Sequence, residues 1–224
     1  MGDGLLPRRF GAKLLLFGYA DLLAVHLLAQ LIVAPELAAI TQALAMPVLA
    51  LVLFNEMTAR GPLVWFTLLA LGFSWLGDVL PRFVAPELQF ILLMGCFLMA
   101  QIAYIVAFSP YWRDLRRCWQ ALIPLAAACG VLVVAAVPYA GDLLGPMLAY
   151  GVTLFAMVLL SGGVHPIAGI GGALFLLSDA LIALNALGLV EFTAVDFVVM
   201  ATYLIAQAAI VLGVASRARA ALVA

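Results

Sequence analysis

Charged residues are scarce in this chain of 224 residues, and their scarcity excludes most classes of soluble protein. Only 9% of the residues are charged and 68% are hydrophobic, with a mean hydropathy of +1.26, whereas a soluble domain has about 25% charged residues. The formal net charge is -1, which excludes the basic surface of a nucleic-acid-binding protein. The composition therefore predicts an integral membrane protein that has no nucleic-acid partner.

Cysteine and histidine are too few and too dispersed to form a recognisable metal or redox site. Cys96, Cys118 and Cys129 show no CxxC spacing, and two of them lie in apolar runs, where cysteine behaves as a small hydrophobe. His26 and His165 are the two histidines, and they form no HxxxH or HExxH pattern. The sequence also lacks a GxSxG elbow and a glycine-rich phosphate loop. We predict no disulfide, no metal site and no cofactor.

Long apolar runs recur along the whole chain. Each has about 18 to 23 residues, enough to cross a hydrocarbon core of about 30 Å, and proline, glycine and charged residues separate the runs. The first run is longer than the 7–15 residues of a signal-peptide core and has no clear small-residue cleavage site, so we interpret it as a helix. We predict one all-α domain over residues 1–224, a bundle of eight transmembrane helices at about 12–34, 38–55, 62–80, 88–109, 119–137, 143–160, 166–187 and 194–216.

Basic residues test this number of helices, because a missed or invented helix would move every later loop to the other side of the membrane. If eight helices cross and both termini are cytoplasmic, Arg82 is the single basic residue outside. A helical bundle of this kind favours a cytoplasmic, or inner, membrane. The other nine of the ten basic residues then fall inside: Arg8, Arg9, Lys13, Arg60, Arg113, Arg116, Arg117, Arg217 and Arg219.

Aspartates inside the apolar runs are the first candidates for a functional site. An aspartate at a helix centre costs about 2.5–3.5 kcal/mol on insertion scales, so it usually faces the protein interior or an aqueous cavity. Asp78 lies near the outer end of the predicted third helix, and Asp179 lies well inside the seventh. On the first helix, Asp21 and His26 are about 140° apart, so they form no adjacent pair, and we interpret His26 as a structural histidine.

Other polar side chains share helix faces and are candidates to complete a pocket. Each pair at helical spacing is, by itself, more typical of interhelical hydrogen bonding than of chemistry. Under the predicted topology several of them lie in the same half of the membrane as the two aspartates, so we expect them to converge. These candidates are Gln42, Ser74, Gln101 with Tyr104, Tyr150 with Thr153, Ser178 with Asn185, and Tyr203 with Gln207.

Four segments occur in a fixed order that matches a known family. "SWLGDVL" is similar to a S-x-x-G-D segment, "GCFLMAQIAYIVAF" to G-x-F-x-x-x-H-x-x-Y, "GGALFLLSDALIALN" to G-x-x-x-F-x-x-S-D, and "ATYLIAQAAI" to T-Y-x-x-A-Q. Together they resemble the lysoplasmalogenase family, the YhhN-like membrane proteins, from the second helix to the eighth. The chain departs from that pattern at Gln42, where many members have lysine, and at Gln101, where many have histidine.

The resemblance implies hydrolysis of the vinyl-ether bond of a lysoplasmalogen, taken from the bilayer, to a fatty aldehyde and a glycerophospho-headgroup. Protonation at the vinyl β-carbon needs a general acid, and two carboxyl groups in unequal environments can divide such work. We assign Asp179, the deeper one, as the acid and Asp78 as the ionised partner that orients water, although sequence alone allows the exchanged roles. Substrate-binding positions implied are Gln42, Ser74, Gln101, Tyr104, Tyr150, Ser178, Asn185, Tyr203 and Gln207.

Two other classes of function stay open at this point. The neutral residues Gln42 and Gln101 favour a non-catalytic lipid-binding or scaffold protein. A proton-coupled transporter would use Asp78 and Asp179 as relay sites, but the inner halves of most helices lack ionisable residues and the chain has no clear internal repeat. The sequence carries no signal for the oligomeric state.

Overall fold

Long α-helices make up nearly all of the described structure. The computed structural model describes residues 5–117, 137–139, 141, 144–192 and 194–222, and no strand occurs in those ranges. Proline opens four of the helices, at the position where its missing N–H costs nothing. The helices are α1 (Phe10–Leu31), α2 (Pro35–Glu56), α3 (Pro62–Val79), α4 (Pro86–Phe108), α5 (Leu144–Val164), α6 (Pro166–Ala186) and α7 (Val195–Ala221).

All seven of these helices are long and apolar enough to cross a membrane. The prediction of an all-α membrane bundle is therefore confirmed for the described residues. The predicted helix at 119–137 lies outside them, except for Val137, which belongs to the short 3-10 turn Val137–Tyr139. The last helix, predicted to stop near 216, continues to Ala221 because Arg219 is held in a buried ion pair.

Contacts between the helices give their directions. Gly11 lies against Asn55 and His26 against Ala38, so α1 and α2 are antiparallel. Contact pairs between the other helices show their directions in the same way. Helices α1, α3 and α6 run in one direction, and α2, α4, α5 and α7 run in the opposite direction.

Helices α4 and α5 are consecutive in the described structure and yet run parallel. Gln101 contacts Thr153, and ten residues further on in each case Tyr111, in the 3-10 segment Ser109–Arg117 that follows α4, lies against Gly163 of α5. The chain therefore leaves α4 at one end of the bundle and begins α5 at the other. We call the end at which α1 begins the basic end and the end at which α3 and α6 finish the aspartate end.

Helix α7 lies at the centre of the bundle. It packs against α1, α2, α3, α5 and α6, and its Gln207 accepts a hydrogen bond from Tyr104 of α4. Glycines allow α6 to approach closely: a Cβ at Gly171 would lie 2.7 Å from the carbonyl oxygen of Ala206, and a Cβ at Gly213 would lie 2.7 Å from the Cβ of Ala168. Close backbone packing through small residues is how membrane helices associate.

A buried ion pair joins the helices at the basic end. Nη1 of Arg219 lies 2.7 Å from Oε1 of Glu56, and the two side chains are 8% and 1% exposed. The backbone N–H groups of Arg8 and Arg9 donate to the two carboxylate oxygens of Glu56 at 2.9 and 3.1 Å. One carboxylate thus ties the segment before α1 to the ends of α2 and α7.

The turn between α5 and α6 depends on a neutral histidine. Nδ1 of His165 accepts a hydrogen bond from the backbone N–H of Ile167 at 3.2 Å, which caps α6. Burial, followed by repulsion from the nearby Arg217 and Arg219 guanidinium groups, lowers the pKa of His165 from its ordinary value of 6.5. The histidine therefore keeps the lone pair that the cap needs.

We expect Gly171→Ala to destabilise the protein, because the added Cβ would meet backbone atoms of α7 that cannot move aside. Overpacking of this kind costs about 1–3 kcal/mol. Gly95→Ala is the control, since a Cβ there meets nothing within 4 Å. Thermal unfolding in detergent should show a lower Tm for Gly171→Ala alone. Equal Tm values for the two variants would contradict the close α6–α7 contact.

Candidate active site

Asp78 is buried at the aspartate end of α3, with 7% of its surface exposed. Its Oδ1 accepts a hydrogen bond from Nε2 of Gln42 at 3.1 Å, and its Oδ2 accepts one from the hydroxyl of Tyr203 at 2.9 Å. The carboxyl group therefore joins α3 to α2 and α7. Both of its donors are neutral groups.

Arg82 fixes the orientation of the Gln42 amide. The guanidinium Nη2 donates to Oε1 of Gln42, and its Nε donates to the backbone oxygen of Asp78 at 3.4 Å. An amide turned the other way would present its NH₂ group to the guanidinium, where two donors would meet. Gln42 must therefore donate its own N–H to Asp78. The positive charge of Arg82 is separated from the Asp78 carboxyl group by the Gln42 amide.

Asp179 is equally buried, with 7% of its surface exposed, in the half of α6 nearer the aspartate end. The hydroxyl of Tyr150, on α5, donates to Oδ2, and Oγ of Ser178 lies 3.3 Å from Oδ1. Ser178 itself is anchored to the carbonyl oxygen of Phe175 at 2.8 Å. The carboxyl groups of Asp78 and Asp179 are near enough to interact electrostatically.

A second hydrogen-bonded group lies deeper in the bundle, below Asp78. Tyr104 donates to Oε1 of Gln207 at 2.6 Å, and Nε2 of Gln207 donates to Oγ of Ser74 at 3.1 Å. All three side chains are fully buried. These two hydrogen bonds join α4, α7 and α3, and they satisfy both the oxygen and the nitrogen of the Gln207 amide. They therefore fix the relative positions of the helices that carry Tyr104, Tyr203 and Asp78.

Gln101 is buried between α4 and α5. Its Oε1 accepts a hydrogen bond from Oγ1 of Thr153 at 2.6 Å. Its Nε2 atom has no hydrogen-bond partner within the part of the chain that the structure describes. The Gln101 side chain is also near enough to the Tyr150 hydroxyl to interact with it, so Gln101 lies beside the tyrosine that donates to Asp179.

Three aromatic rings pack together near the aspartates, since Tyr203 donates to Asp78 and Phe175 lies four residues before Asp179 on α6. Phe97, Phe175 and Tyr203 contact one another edge to face, with ring centroids 5.6 to 6.0 Å apart. Gly77 permits this packing, because a Cβ there would lie 2.8 Å from the ring of Phe97. The rings come from α4, α6 and α7, so they hold the helices that carry the site in one relative position.

Most of the predicted site residues lie in these hydrogen-bonded groups. Asn185 is the exception, because it is exposed near the end of α6. Asp21 is exposed on α1, and His26 is buried between α1 and α2, where its Nδ1 contacts Oγ1 of Thr41 at 2.8 Å.

Arg82 is not among the predicted site residues, although its isolation from the other basic residues is visible in the sequence. No group of three potential metal ligands occurs among the described residues.

Comparison with known proteins decides the family. A sequence model described as the YhhN family matches residues 37–214, well over half of the chain. The chain belongs to the YhhN family. The resemblance seen in the sequence is thus confirmed, and the match contains every YhhN position discussed above from Gln42 to Gln207. Neither a curated protein nor a solved structure matched this chain.

We expect Asp78 and Tyr203 to be energetically coupled in this YhhN protein. Tyr203→Phe keeps the ring packing but leaves a buried carboxylate oxygen without its donor, which costs about 1–3 kcal/mol. A double-mutant cycle with Asp78→Asn, measured by unfolding in mixed micelles, should give a coupling energy of about 0.5–3 kcal/mol. The control cycle pairs Tyr203→Phe with Asp21→Asn and should be additive. Additivity in both cycles would contradict the hydrogen bond.

Proposed function

We propose that this protein is an intramembrane hydrolase that cleaves the vinyl-ether bond of lysoplasmalogens, as the family resemblance implies. The observation that carries the proposal is the pair of buried aspartates at one end of the bundle. Each carboxyl group is held by neutral donors on two helices, α2 and α7 for Asp78 and α5 and α6 for Asp179. Buried carboxyl groups of this kind are typical of functional sites in membranes.

The reaction needs only acid–base chemistry and water. A carboxylic acid gives its proton to the β-carbon of the vinyl ether, which leaves an oxocarbenium ion on the carbon bound to oxygen. Water adds to that carbon and loses a proton to a base, and the hemiacetal then releases the glycerol hydroxyl and becomes the aldehyde. One water molecule is consumed, and the acid is restored when a proton returns to it.

The hydrogen-bond partners favour a division of roles between the two aspartates. The hydroxyls of Tyr150 and Ser178 can accept as well as donate, so Asp179 keeps partners whether it carries a proton or not. The amide N–H of Gln42 can only donate, and Arg82 prevents the amide from turning. Asp78 must therefore present an acceptor oxygen to Gln42. We propose Asp179 as the acid and Asp78 as the ionised group that stabilises the cation and orients water.

The depth of the two groups suits this substrate. Asp78 is one residue from the end of α3 and Asp179 is seven residues from the end of α6, which corresponds to about 10 Å along a helix. The vinyl-ether bond of a lysophospholipid lies just below its headgroup, with the tail in the hydrocarbon. A site within the last turns of the helices meets the bond at that level.

The same proposal includes eight crossings of a cytoplasmic, or inner, membrane, with both termini on the cytoplasmic side. The parallel directions of α4 and α5 support the count of eight, because α4 ends at the basic end and α5 begins at the aspartate end. The contacts of Arg8, Arg9, Arg217 and Arg219 gather them at the basic end. By the positive-inside rule, this grouping of basic residues supports a cytoplasmic location for that end.

Asp78→Asn and Asp179→Asn should each lower aldehyde release from a lysoplasmalogen by about 100-fold or more, the usual contribution of a positioned acid or base. The purified protein in detergent is assayed beside an acyl lysophospholipid. Asp21→Asn is the matched control and should keep wild-type activity, because Asp21 is exposed on α1.

Wild-type turnover by either site variant would contradict the assignment of that aspartate. Monodisperse elution of each variant excludes misfolding as the cause of lost activity. Tight binding of the lipid by the wild-type protein with no aldehyde release would instead support the lipid-binding alternative.

A further inference from the structure

Arg82 is the single positive charge near the two aspartates. No other lysine or arginine occurs between Arg60 and Arg113, and none occurs between Arg117 and Arg217. The remaining charges at the aspartate end are acidic, since the first turns of α2, α4 and α7 carry Glu36, Glu87 and Asp196. An anionic group that approaches this end can therefore form an ion pair with Arg82 and with no other lysine or arginine in these stretches of sequence.

The guanidinium of Arg82 is held in place and still has donors to offer. Its side chain is exposed, Nη2 donates to Gln42 and Nε donates to the backbone oxygen of Asp78. Within the described residues Nη1 has no hydrogen bond. A guanidinium that is fixed on one edge and free on the other can form charge-assisted hydrogen bonds with a phosphate.

The spacing of Arg82 and Asp78 matches the spacing of the groups in the substrate. Arg82 follows Asp78 by four residues, in the 3-10 turn Leu80–Phe83 that continues α3, which corresponds to a rise of about 6–8 Å. In a lysophospholipid the glycerol carbons alone separate the ether oxygen from the phosphate, a span of similar length. A lipid whose ether bond lies beside Asp78 therefore brings its phosphate to the level of Arg82.

We propose that Arg82 binds the phosphodiester of the lipid headgroup and selects phosphate-bearing vinyl ethers over neutral ones with the same tail. The inference rests on the proposed function and extends it to a specificity-determining residue. The phosphate sits against Nη1, while Nη2 keeps Gln42 turned toward Asp78. Headgroup binding and the orientation of the catalytic carboxyl group then depend on one side chain.

The test compares two substrates that share a tail, a lysoplasmalogen and the corresponding 1-alkenylglycerol without phosphate. Arg82→Gln should lower kcat/KM for both substrates through the lost contact with Gln42, and should lower it about tenfold further for the lysoplasmalogen, the additional loss of one charge-assisted interaction with phosphate. Arg82→Lys should recover part of the loss, because an ammonium also attracts phosphate. Arg113→Gln is the control, since Arg113 is exposed and stacks on Trp112 near the basic end.

An equal loss on both substrates would overturn the proposal, because it would mean that Arg82 acts only through Gln42 and Asp78. A binding measurement separates this inference from the hydrolase proposal. A non-hydrolysable 1-O-alkyl lysophospholipid should bind Arg82→Gln about tenfold more weakly than the wild-type protein, and the matching 1-O-alkylglycerol should bind both equally.

That difference in binding would support the role of Arg82 even if the wild-type protein released no aldehyde. Equal binding of the phospholipid analogue by both proteins would overturn it. Inorganic phosphate at the same concentration should not displace the analogue, because the tail supplies most of the affinity. Displacement by phosphate alone would indicate a site for free anions and would also overturn the proposal.

Discussion

Two carboxyl groups can be kept in the interior of a membrane bundle only if their oxygens have hydrogen-bond donors, and the arrangement of helices at the aspartate end meets that requirement. Asp78 receives donors from α2 and α7, and Asp179 receives one from α5 and one from its neighbour. Gln42 is fixed by Arg82, Tyr203 by ring packing and Ser178 by the carbonyl oxygen of Phe175. The site is therefore held together by the same bonds that hold the helices together.

The two ends of the bundle satisfy their charges in different ways. At the basic end, Glu56 and Arg219 form a direct ion pair with additional backbone donors, an arrangement that is costly to break. At the aspartate end, the positive charge of Arg82 reaches Asp78 through the amide of Gln42. A direct ion pair would neutralise the carboxylate, whereas the intervening amide leaves it free to stabilise the oxocarbenium ion of the proposed reaction.

The sequence reveals much of this site because polar residues stand out in apolar runs. The aspartates and their tyrosine and amide partners were identifiable by residue type, helical spacing and family motif. Asn185 shows the limit of spacing: it shares a helix face with Ser178, but seven residues of rise carry it to the end of α6, where it is exposed. Helical periodicity shows which face of a helix a residue lies on. It does not show whether the neighbouring helices extend far enough to bury that residue.

Arg82 and the length of α7 show why the rest could not be predicted. A lone arginine after a helix counts toward membrane topology, and only the three-dimensional contact with Gln42 links it to Asp78. The last helix extends to Ala221 because Glu56, more than a hundred residues earlier, receives Arg219. Both features depend on contacts between distant parts of the chain.

The most direct test of the account is the position of the transferred proton. Lysoplasmalogen is hydrolysed by the purified protein in heavy water, the aldehyde is trapped at once, and its mass is measured. Delivery of a proton from a carboxyl group in exchange with solvent predicts one deuterium on the carbon next to the aldehyde group. An aldehyde without deuterium at that carbon, formed at the full enzymatic rate, would contradict acid catalysis by the buried aspartates.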